Sequence, residues 1–153
     1  MNRRKFLTLS VVTALSLPIA ALATDYRMEK PTAWTAHTVD DAIKALYGDV
    51  KLVQSDAIIL KMPKLASNGG AVPICIKTDI KAKSVSLFQN ANPESAVAVW
   101  SVPEDGIIDY GFKIKLKGGD NKSIKVTVIV EGLDGVFYTK SASVQVSSTT
   151  CEG

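Results

Sequence analysis

The feature that most constrains this chain is a change of hydrophobic period after Asp49. From there on, apolar and polar residues alternate in short runs separated by glycine, proline, asparagine and aspartate. A period of two is typical of strands with one buried face, and those four residue types favour turns. Seven strands are predicted, over residues 57–62, 72–78, 84–89, 97–102, 110–116, 123–131 and 136–146. Strands of this length and spacing indicate a mostly β fold, an immunoglobulin-like antiparallel β-sandwich.

The alternation also predicts which side chains point into the sandwich, because successive strand residues face opposite sides of a sheet. Lys113, Lys115 and Lys117 are expected in water. Cys75 is expected on the opposite face of its strand from the inward residues, either under a helix, at a subunit contact or as a buried packing thiol. The predicted inward residues are Val72, Ile74, Ile76, Phe112, Ile114, Leu116, Val126, Val128, Val130, Ala142, Val144 and Val146.

A short amphipathic helix is predicted before the strands, over residues 39–47. Thr38 suits the N-cap, two aspartates follow in the first turn, and Gly48 occupies the stop position. The apolar residues follow the spacing of one helix face, at Val39, Ala42, Ile43, Leu46 and Tyr47. Residues 24–36 are expected to be an extended lead-in, and His37 is expected at the surface.

Residues 1–23 have the pattern of a cleaved signal peptide. A basic start precedes an apolar stretch, and Ala21-Leu22-Ala23 fits a cleavage site. The apolar stretch is too short for a spanning helix, which needs about 20 residues. Arg3-Arg4 resembles the twin-arginine export motif, with the Sec route as the alternative. The mature protein is therefore expected in the periplasm, with no membrane segment after signal cleavage.

The remaining chain suits one domain, over residues 24–147, because 153 residues with 46% hydrophobic content are too few for two full domains. The 18 basic and 15 acidic residues include three basic ones before the apolar stretch, Arg3, Arg4 and Lys5. Without these three the counts are 15 and 15. A neutral domain lacks the positive surface that nucleic acid requires, so no nucleic-acid partner is expected.

The sequence lacks the patterns of common catalytic sites. One histidine and two dispersed cysteines cannot supply a tetrahedral metal set, and no GxSxG, GxGxxG or GxxxxGK pattern occurs. We therefore expect no enzyme, no metal and no cofactor.

The two cysteines are separated in a way that disfavours a disulfide between them. Cys75 lies in an apolar run, whereas Cys151 lies in a polar tail that follows the last predicted strand. This tail, residues 148–153, is predicted to be an arm made of Ser148, Thr149, Thr150, Cys151, Glu152 and Gly153. At roughly 3.3–3.6 Å per extended residue, four residues can hold the thiol up to about 14 Å from the domain. An exposed thiol in an oxidising compartment is a liability, which indicates a function for Cys151.

Three segments resemble the SoxY family of sulfur-compound carriers. Residues 62–73, MPKLASNGGAVP, resemble the family stretch P-x-I-A-E-N-G-A-x-V-P. Residues 41–49 are similar to its opening helix, and residues 137–146 are similar to its final strand. A twin-arginine signal and a cysteine near the C-terminus complete the resemblance, which extends over nearly all of the mature chain.

The resemblance implies a function for the arm. In this family the C-terminal cysteine, here Cys151, holds thiosulfate-derived intermediates covalently during sulfur oxidation. The carrier pairs with a SoxZ-like subunit as a heterodimer and is acted on by enzymes of the SoxXA, SoxB and SoxCD type. The family tail is Gly-Gly-Cys-Gly-Gly, whereas Thr149, Thr150 and Glu152 replace three glycines here. Either the partner enzymes have adapted, or a different sulfur species is carried.

The alternative to a sulfur carrier is a structural or interaction protein. An exported immunoglobulin-like module could use Cys151 for an intermolecular disulfide instead of for sulfur transfer. The adduct on the terminal peptide distinguishes the two functions.

Overall fold

The computed structural model describes residues 24–119 and 123–147. The predicted signal peptide, residues 1–23, and the predicted arm, residues 148–153 with Cys151, lie outside the described residues. The domain boundaries at 24 and 147 remain predictions.

Residues 24–51, which precede the strands, contain three helices, α1 (Tyr26–Glu29), α2 (Pro31–Trp34) and α3 (Val39–Tyr47). The prediction of an extended lead-in is wrong, because α1 and α2 are each one helical turn. The Asp25 carboxylate accepts hydrogen bonds from the backbone N–H groups of Arg27 and Met28, which starts α1. Pro31 opens α2 at a position where a helix needs no N–H.

The predicted amphipathic helix is confirmed as α3. The Thr38 hydroxyl accepts a hydrogen bond from the Asp41 N–H at 3.1 Å, as an N-cap does. Gly48 ends the helix with φ +83°, a backbone conformation that favours glycine. His37, just before the helix, is exposed as predicted.

Nine strands form two sheets in the described part of the chain, and the mostly β fold is confirmed. The larger sheet has the order β1-β9-β8-β5-β6, with β3 also beside β9, and the smaller has the order β2-β4-β7. The strands are β1 (Leu52–Gln54), β2 (Ile59–Lys61), β3 (Leu65–Ala66), β4 (Val72–Thr78), β5 (Ala82–Gln89), β6 (Ala96–Ser101), β7 (Ile108–Ile114), β8 (Ser123–Gly132) and β9 (Phe137–Val146).

Two strands were not predicted, and both alter the expected topology. β1 and β3 each pair with β9 in parallel, whereas the prediction was wholly antiparallel. With three and two residues, these strands are too short to show alternation. The other seven strands match the prediction to within two residues at each end, with β2 three residues shorter than predicted and β7 beginning and ending two residues earlier.

The main core lies between the two sheets, and the inward rows are as predicted. Every predicted inward residue is buried except Phe112 and Ala142, which are half-buried. Lys113, Lys115 and Lys117 are exposed, as expected.

A second core lies on the other face of the larger sheet, where α3 packs. Ala42, Ile43 and Leu46 of the helix join Phe88 of β5 and Ile129 of β8 in this cluster. Both faces of β5 and β8 are therefore covered, which explains their nearly continuous burial.

Cys75 lies on the outer face of the smaller sheet, away from the helices. The expectations that it lies under the helix or is a fully buried packing thiol are both wrong. It is a half-exposed free thiol beside Gly111, its partner across the β4–β7 pair. The predicted face is correct, but no element of the described chain covers that face.

None of the helices in residues 24–119 and 123–147 has the length and hydrophobicity needed to span a membrane.

Candidate functional site

The predicted arm begins where β9 ends, and this end of the strand is held by β3. The N–H of Gln145 donates to the Lys64 carbonyl at 2.9 Å, and the N–H of Ser147 donates to the Ala66 carbonyl at 3.0 Å. Ser147 is the last described residue. The backbone is therefore anchored up to the residue before the arm.

The turn after β3 packs tightly against the same end of β9. The Asn68 side chain accepts a hydrogen bond from the Gly70 N–H at 2.8 Å, which starts a 3₁₀ turn at Gly69–Ala71. The Gly69 carbonyl accepts from the Leu116 N–H at 2.7 Å. A Cβ atom on Gly69 would overlap the Leu116 carbonyl oxygen and lie 2.8 Å from a methyl carbon of Val146. Only glycine fits this close approach without movement of the backbone.

A second glycine packs against the same methyl carbon of Val146. A Cβ atom on Gly118 would lie 2.8 Å from Val146 Cγ1 and 3.0 Å from the Ser147 carbonyl oxygen. Gly69 and Gly118 therefore allow two loops to contact the base of the arm directly.

The loop at residues 90–94 is tied to this region by amide side chains. Asn92 Nδ2 donates to the Lys115 carbonyl at 2.8 Å, and Asn92 Oδ1 accepts from the Lys117 N–H at 2.8 Å. The buried Gln89 donates to the Glu94 carbonyl at 2.6 Å and accepts from the Asn92 N–H at 2.7 Å. These bonds hold the loop in a fixed position.

The start of α3 is attached to the same loop. The Ser95 N–H donates to the Ala36 carbonyl at 2.9 Å, and His37 Nδ1 lies 2.8 Å from the Pro93 carbonyl oxygen. In the tautomer that carries its proton on Nδ1, His37 donates to that carbonyl, which gives it a structural contact.

An open cleft of about 1070 Å³ lies at the base of the arm. Its walls are residues 67–70, 92–94 and 115–118, together with Val146 and Ser147. Lys115 and Lys117 carry two positive charges on the wall, against one negative charge on Glu94. The balance favours an anionic group near the arm.

Two ionisable groups with shifted pKa values, Tyr47 and Asp134, lie outside the cleft. Burial raises the pKa of Tyr47 to about 12, against hydrogen bonds to Ser84 and Ser86 that lower it. This phenol joins α3 to β5 and lies in the second core rather than in the cleft. The lowered pKa of the Asp134 carboxyl, caused mainly by the Tyr138 hydroxyl, belongs to a turn at the opposite end of the sandwich.

Residues 24–119 and 123–147 contain no group of three or more His, Cys, Asp or Glu residues placed to hold a metal ion. The predicted site residues, Ser148, Thr149, Thr150, Cys151, Glu152 and Gly153, lie outside the described residues. The described residues around the end of β9, namely residues 67–70, 90–94 and 115–118 with Val146 and Ser147, are called the platform here.

Sequence reasoning missed the residues that build this platform. Asn92 contacts residues 23 and 25 positions away, and no periodic pattern reports such a contact. Residues 64–67 stand out in the sequence only through the family resemblance. The Asn68-Gly69-Gly70 turn was a signal, but it does not indicate what the turn contacts.

The chain is similar to one protein family over most of its length and to a known structure of that family. The family "Sulfur oxidation protein SoxY" matches residues 43–151, a range that begins within α3 and includes all nine described strands and position 151. The fold is similar to the sulfur carrier protein SoxY from Chlorobium limicola f thiosulfatophilum, with a TM-score of 0.62 and 28% identity. That similarity covers 71% of this chain and 94% of the other protein.

A superoxide reductase (neelaredoxin) variant from Ignicoccus hospitalis is similar in fold alone. Its TM-score is 0.53 at 11% identity, over 63% of this chain and 94% of that one. No curated protein sequence matches the chain. Because the family match covers well over half of the sequence, the chain belongs to the SoxY family of sulfur oxidation proteins.

Proposed function

We propose that the protein is a carrier that holds thiosulfate-derived sulfur covalently on Cys151. The observation that carries this proposal is the extent of the family match, which runs from α3 through the strands and ends at residue 151, the cysteine itself. The anchored end of β9 supports it, because an arm needs a fixed base if its tip is to be delivered to a defined place.

The loading step forms one sulfur–sulfur bond. The Cys151 thiol and thiosulfate combine to give Cys–S–S–SO₃⁻, with release of one proton and two electrons. The electrons pass to a redox enzyme of the SoxXA type. Addition of water then releases sulfate and a proton and leaves Cys–S–SH, a reaction for a hydrolase of the SoxB type.

The arm allows these reactions to occur in another protein's active site. At about 3.3–3.6 Å per residue, the thiol can enter a cleft up to about 14 Å deep while the sandwich stays outside. The carrier therefore needs no acid, base or metal of its own. An enzyme of the SoxCD type then oxidises the remaining sulfane sulfur, also on the arm.

The protein acts as a heterodimer with a SoxZ-like subunit in the periplasm. Residues 1–23 direct its export, and their loss leaves the neutral domain and its arm.

Intact-mass spectrometry with two matched cysteine variants tests the carrier function. The purified protein is incubated with thiosulfate and the loading enzyme from the same organism. Wild type and Cys75→Ser are expected to gain the mass of one thiosulfate, whereas Cys151→Ser gains none. Because the arm follows the last strand, Cys151→Ser should melt at the wild-type temperature.

Two results would contradict the proposal. If Cys151→Ser gains the mass of thiosulfate and Cys75→Ser does not, the adduct is on Cys75 of the smaller sheet. A quantitative disulfide between two protein chains through Cys151, in protein taken from the periplasm, would favour the structural module instead.

A further inference from the structure

Five strands of the described chain lie at the edges of the two sheets, and they differ in how their open edges are protected. The edge strands are β1, β3 and β6 in the larger sheet and β2 and β7 in the smaller. Proteins protect such edges with short strands, charged residues or proline, because unpaired backbone groups recruit other strands. β1, β2 and β3 have only two or three residues each, and β7 carries Asp109 and Lys113. β6, Ala-Val-Ala-Val-Trp-Ser, has six residues with neither charge nor proline.

The backbone of β6 is available for pairing on its outer side. Val102 donates its N–H to the Lys83 carbonyl at 2.8 Å, and Ser101 is opposite Ser84 in the same antiparallel pair. Hydrogen-bonded and non-hydrogen-bonded positions alternate along such a pair, so the Ser101 N–H points away from β5. An extended strand has the alternating donors and acceptors that match this edge.

The sandwich side of this edge carries a cluster of aromatic rings. Trp100 of β6 lies between Tyr110 and Phe112 of β7, with ring centroids 5.3 Å and 5.2 Å away. All three rings are half-buried, and Ile107 nearby in the chain is 84% exposed. Aromatic side chains of this kind are enriched in the centres of protein interfaces.

The helix side of the edge carries a groove of about 440 Å³. Val97, Ala98 and Val99 of β6 line it together with residues 24–27 and Trp34. An added strand would place alternate side chains on the two faces of the sheet. One set would enter this groove, and the other would cover Trp100.

Two carboxylates border the surface. Glu104 and Asp105 lie in the turn that follows β6 and are exposed, and neither has an ion-pair partner within residues 24–119 and 123–147. A partner strand with a basic residue at one end would complement them.

We propose that β6 is the docking edge for the second subunit of the heterodimer, which adds an apolar strand ending in a basic residue. The proposal rests on the proposed function, because it takes the heterodimer from there and identifies the surface that forms it. The surface is distinct from the arm, whose base lies at the end of β9.

The experiment compares variants at opposite edges of the larger sheet. Ser101→Pro removes an outward N–H and leaves the β5 ladder intact, since proline is tolerated on edge strands. Ile107→Lys places a charge at an exposed apolar residue that directly precedes β7, the strand that carries Tyr110 and Phe112. Val53→Lys, at a residue of β1 that is 39% exposed, is the control for a charge on the other edge. Binding of the purified SoxZ-like subunit from the same organism is measured by calorimetry, and thermal melting confirms that each variant is folded.

Ser101→Pro and Ile107→Lys are expected to weaken binding at least about tenfold, whereas Val53→Lys binds as wild type. Wild-type affinity in both β6-side variants would overturn the proposal, as would loss of binding in Val53→Lys alone. If wild type instead forms a homodimer that the same two variants dissociate, the occupant is a second copy and the heterodimer assignment is wrong. Thiosulfate loading of Cys151 is measured on wild type separately, so failure of the carrier function is distinguished from failure of this interface.

Discussion

The two sheets of the sandwich share one core but differ on their outer faces. The larger sheet is covered by α3, so that β5 and β8 are buried on both sides. The outer face of the smaller sheet carries Cys75, Lys77 and Lys113 and is covered by no element of the described chain. β4 accordingly alternates between buried and accessible residues, as a half-buried strand should.

The comparison predicts that substitutions are tolerated better on the outer face of the smaller sheet than on that of the larger sheet. Residues on the outer face of the larger sheet contribute to a packed core, whereas those on the smaller sheet contact solvent. The platform of the arm draws on both sheets, because Val146 belongs to the larger and Leu116 follows a strand of the smaller. The following predictions test this division, beginning with the largest effect.

The same substitution on the two outer faces should have very different costs. Ile129 is 0% exposed beneath α3, and Ile59 is 44% exposed on β2. Ile129→Ala removes contacts and leaves a cavity, which costs roughly 2–5 kcal/mol of unfolding free energy. Ile59→Ala is expected to cost well under about 1 kcal/mol, within the usual range for surface substitutions. Urea unfolding of both variants measures the difference, and equal costs would show that the smaller sheet is covered in solution.

Two glycines provide the second test. Gly69→Ala places a Cβ atom against the Leu116 carbonyl and Val146, which should destabilise the domain by about 1–3 kcal/mol through displaced backbone. Gly111 is beside Cys75 on the open face, and a Cβ atom there has no neighbour within 4 Å. Gly111→Ala should be neutral or stabilising by roughly 0.4–1 kcal/mol. Thermal melting separates the two variants, and a neutral Gly69→Ala would mean that the platform adapts without cost.

Two tyrosines provide a pH-dependent test. The pKa of Tyr47 is raised from 10.0 to about 12 in the fold, so its neutral form is stabilising. That stabilisation is complete below about pH 10 and is lost as the pH rises towards about 12. Tyr47→Phe loses the hydrogen bonds to Ser84 and Ser86, at a cost of roughly 1–2 kcal/mol at neutral pH.

Because the phenylalanine does not ionise, wild type and Tyr47→Phe should converge in stability between about pH 10 and about pH 12. Urea midpoints at about pH 8 and about pH 11 reveal the convergence. Tyr110→Phe, on the smaller sheet, is the control: burial also raises the pKa of Tyr110, but the phenol is half-exposed and a smaller convergence is expected. A constant difference between wild type and Tyr47→Phe would contradict the role of burial at this phenol.

Prediction from the sequence succeeded where an element was long enough to show its period. The helix at 39–47 and seven strands were predicted, and Cys75 was placed on the correct face of β4. Its exposure was not predictable, because alternation identifies the face opposite the core but not what covers that face. β1 and β3 were missed because two or three residues show no period, and α1 depends on the local carboxylate of Asp25.

The candidate site also has one part that the sequence predicts and one part that it does not. The role of Cys151 stays a prediction from the sequence, based on its position after the last strand and on the family resemblance, which both depend on the order of residues. The platform was not predicted. Gly69 and Asn92 make contacts with residues more than 20 positions away, and these contacts exist only after the two sheets have packed together.

The smallest expected effect concerns the two thiols, Cys75 on the outer face of the smaller sheet and Cys151 in the predicted arm. Glu152 adjoins Cys151 in the sequence, so its negative charge disfavours the thiolate that reacts with alkylating reagents. Glu152→Gly should therefore raise the iodoacetamide rate of Cys151 near neutral pH. For two charges several ångströms apart in water the interaction energy is below about 1 kcal/mol. The alkylation rate of Cys151 should therefore increase roughly threefold.

Cys75 serves as the reference thiol within the same molecule, because it is half-exposed on the smaller sheet and belongs to the folded domain. Its rate should be the same in wild type and Glu152→Gly, while peptide mapping follows Cys151. The increase should appear at low salt and shrink at high salt, where exposed charges are screened. Equal Cys151 rates at low salt would mean that Glu152 has no electrostatic effect on the thiol. The departure from a glycine-rich tail would then act only through shape, in the partner enzymes that receive the arm.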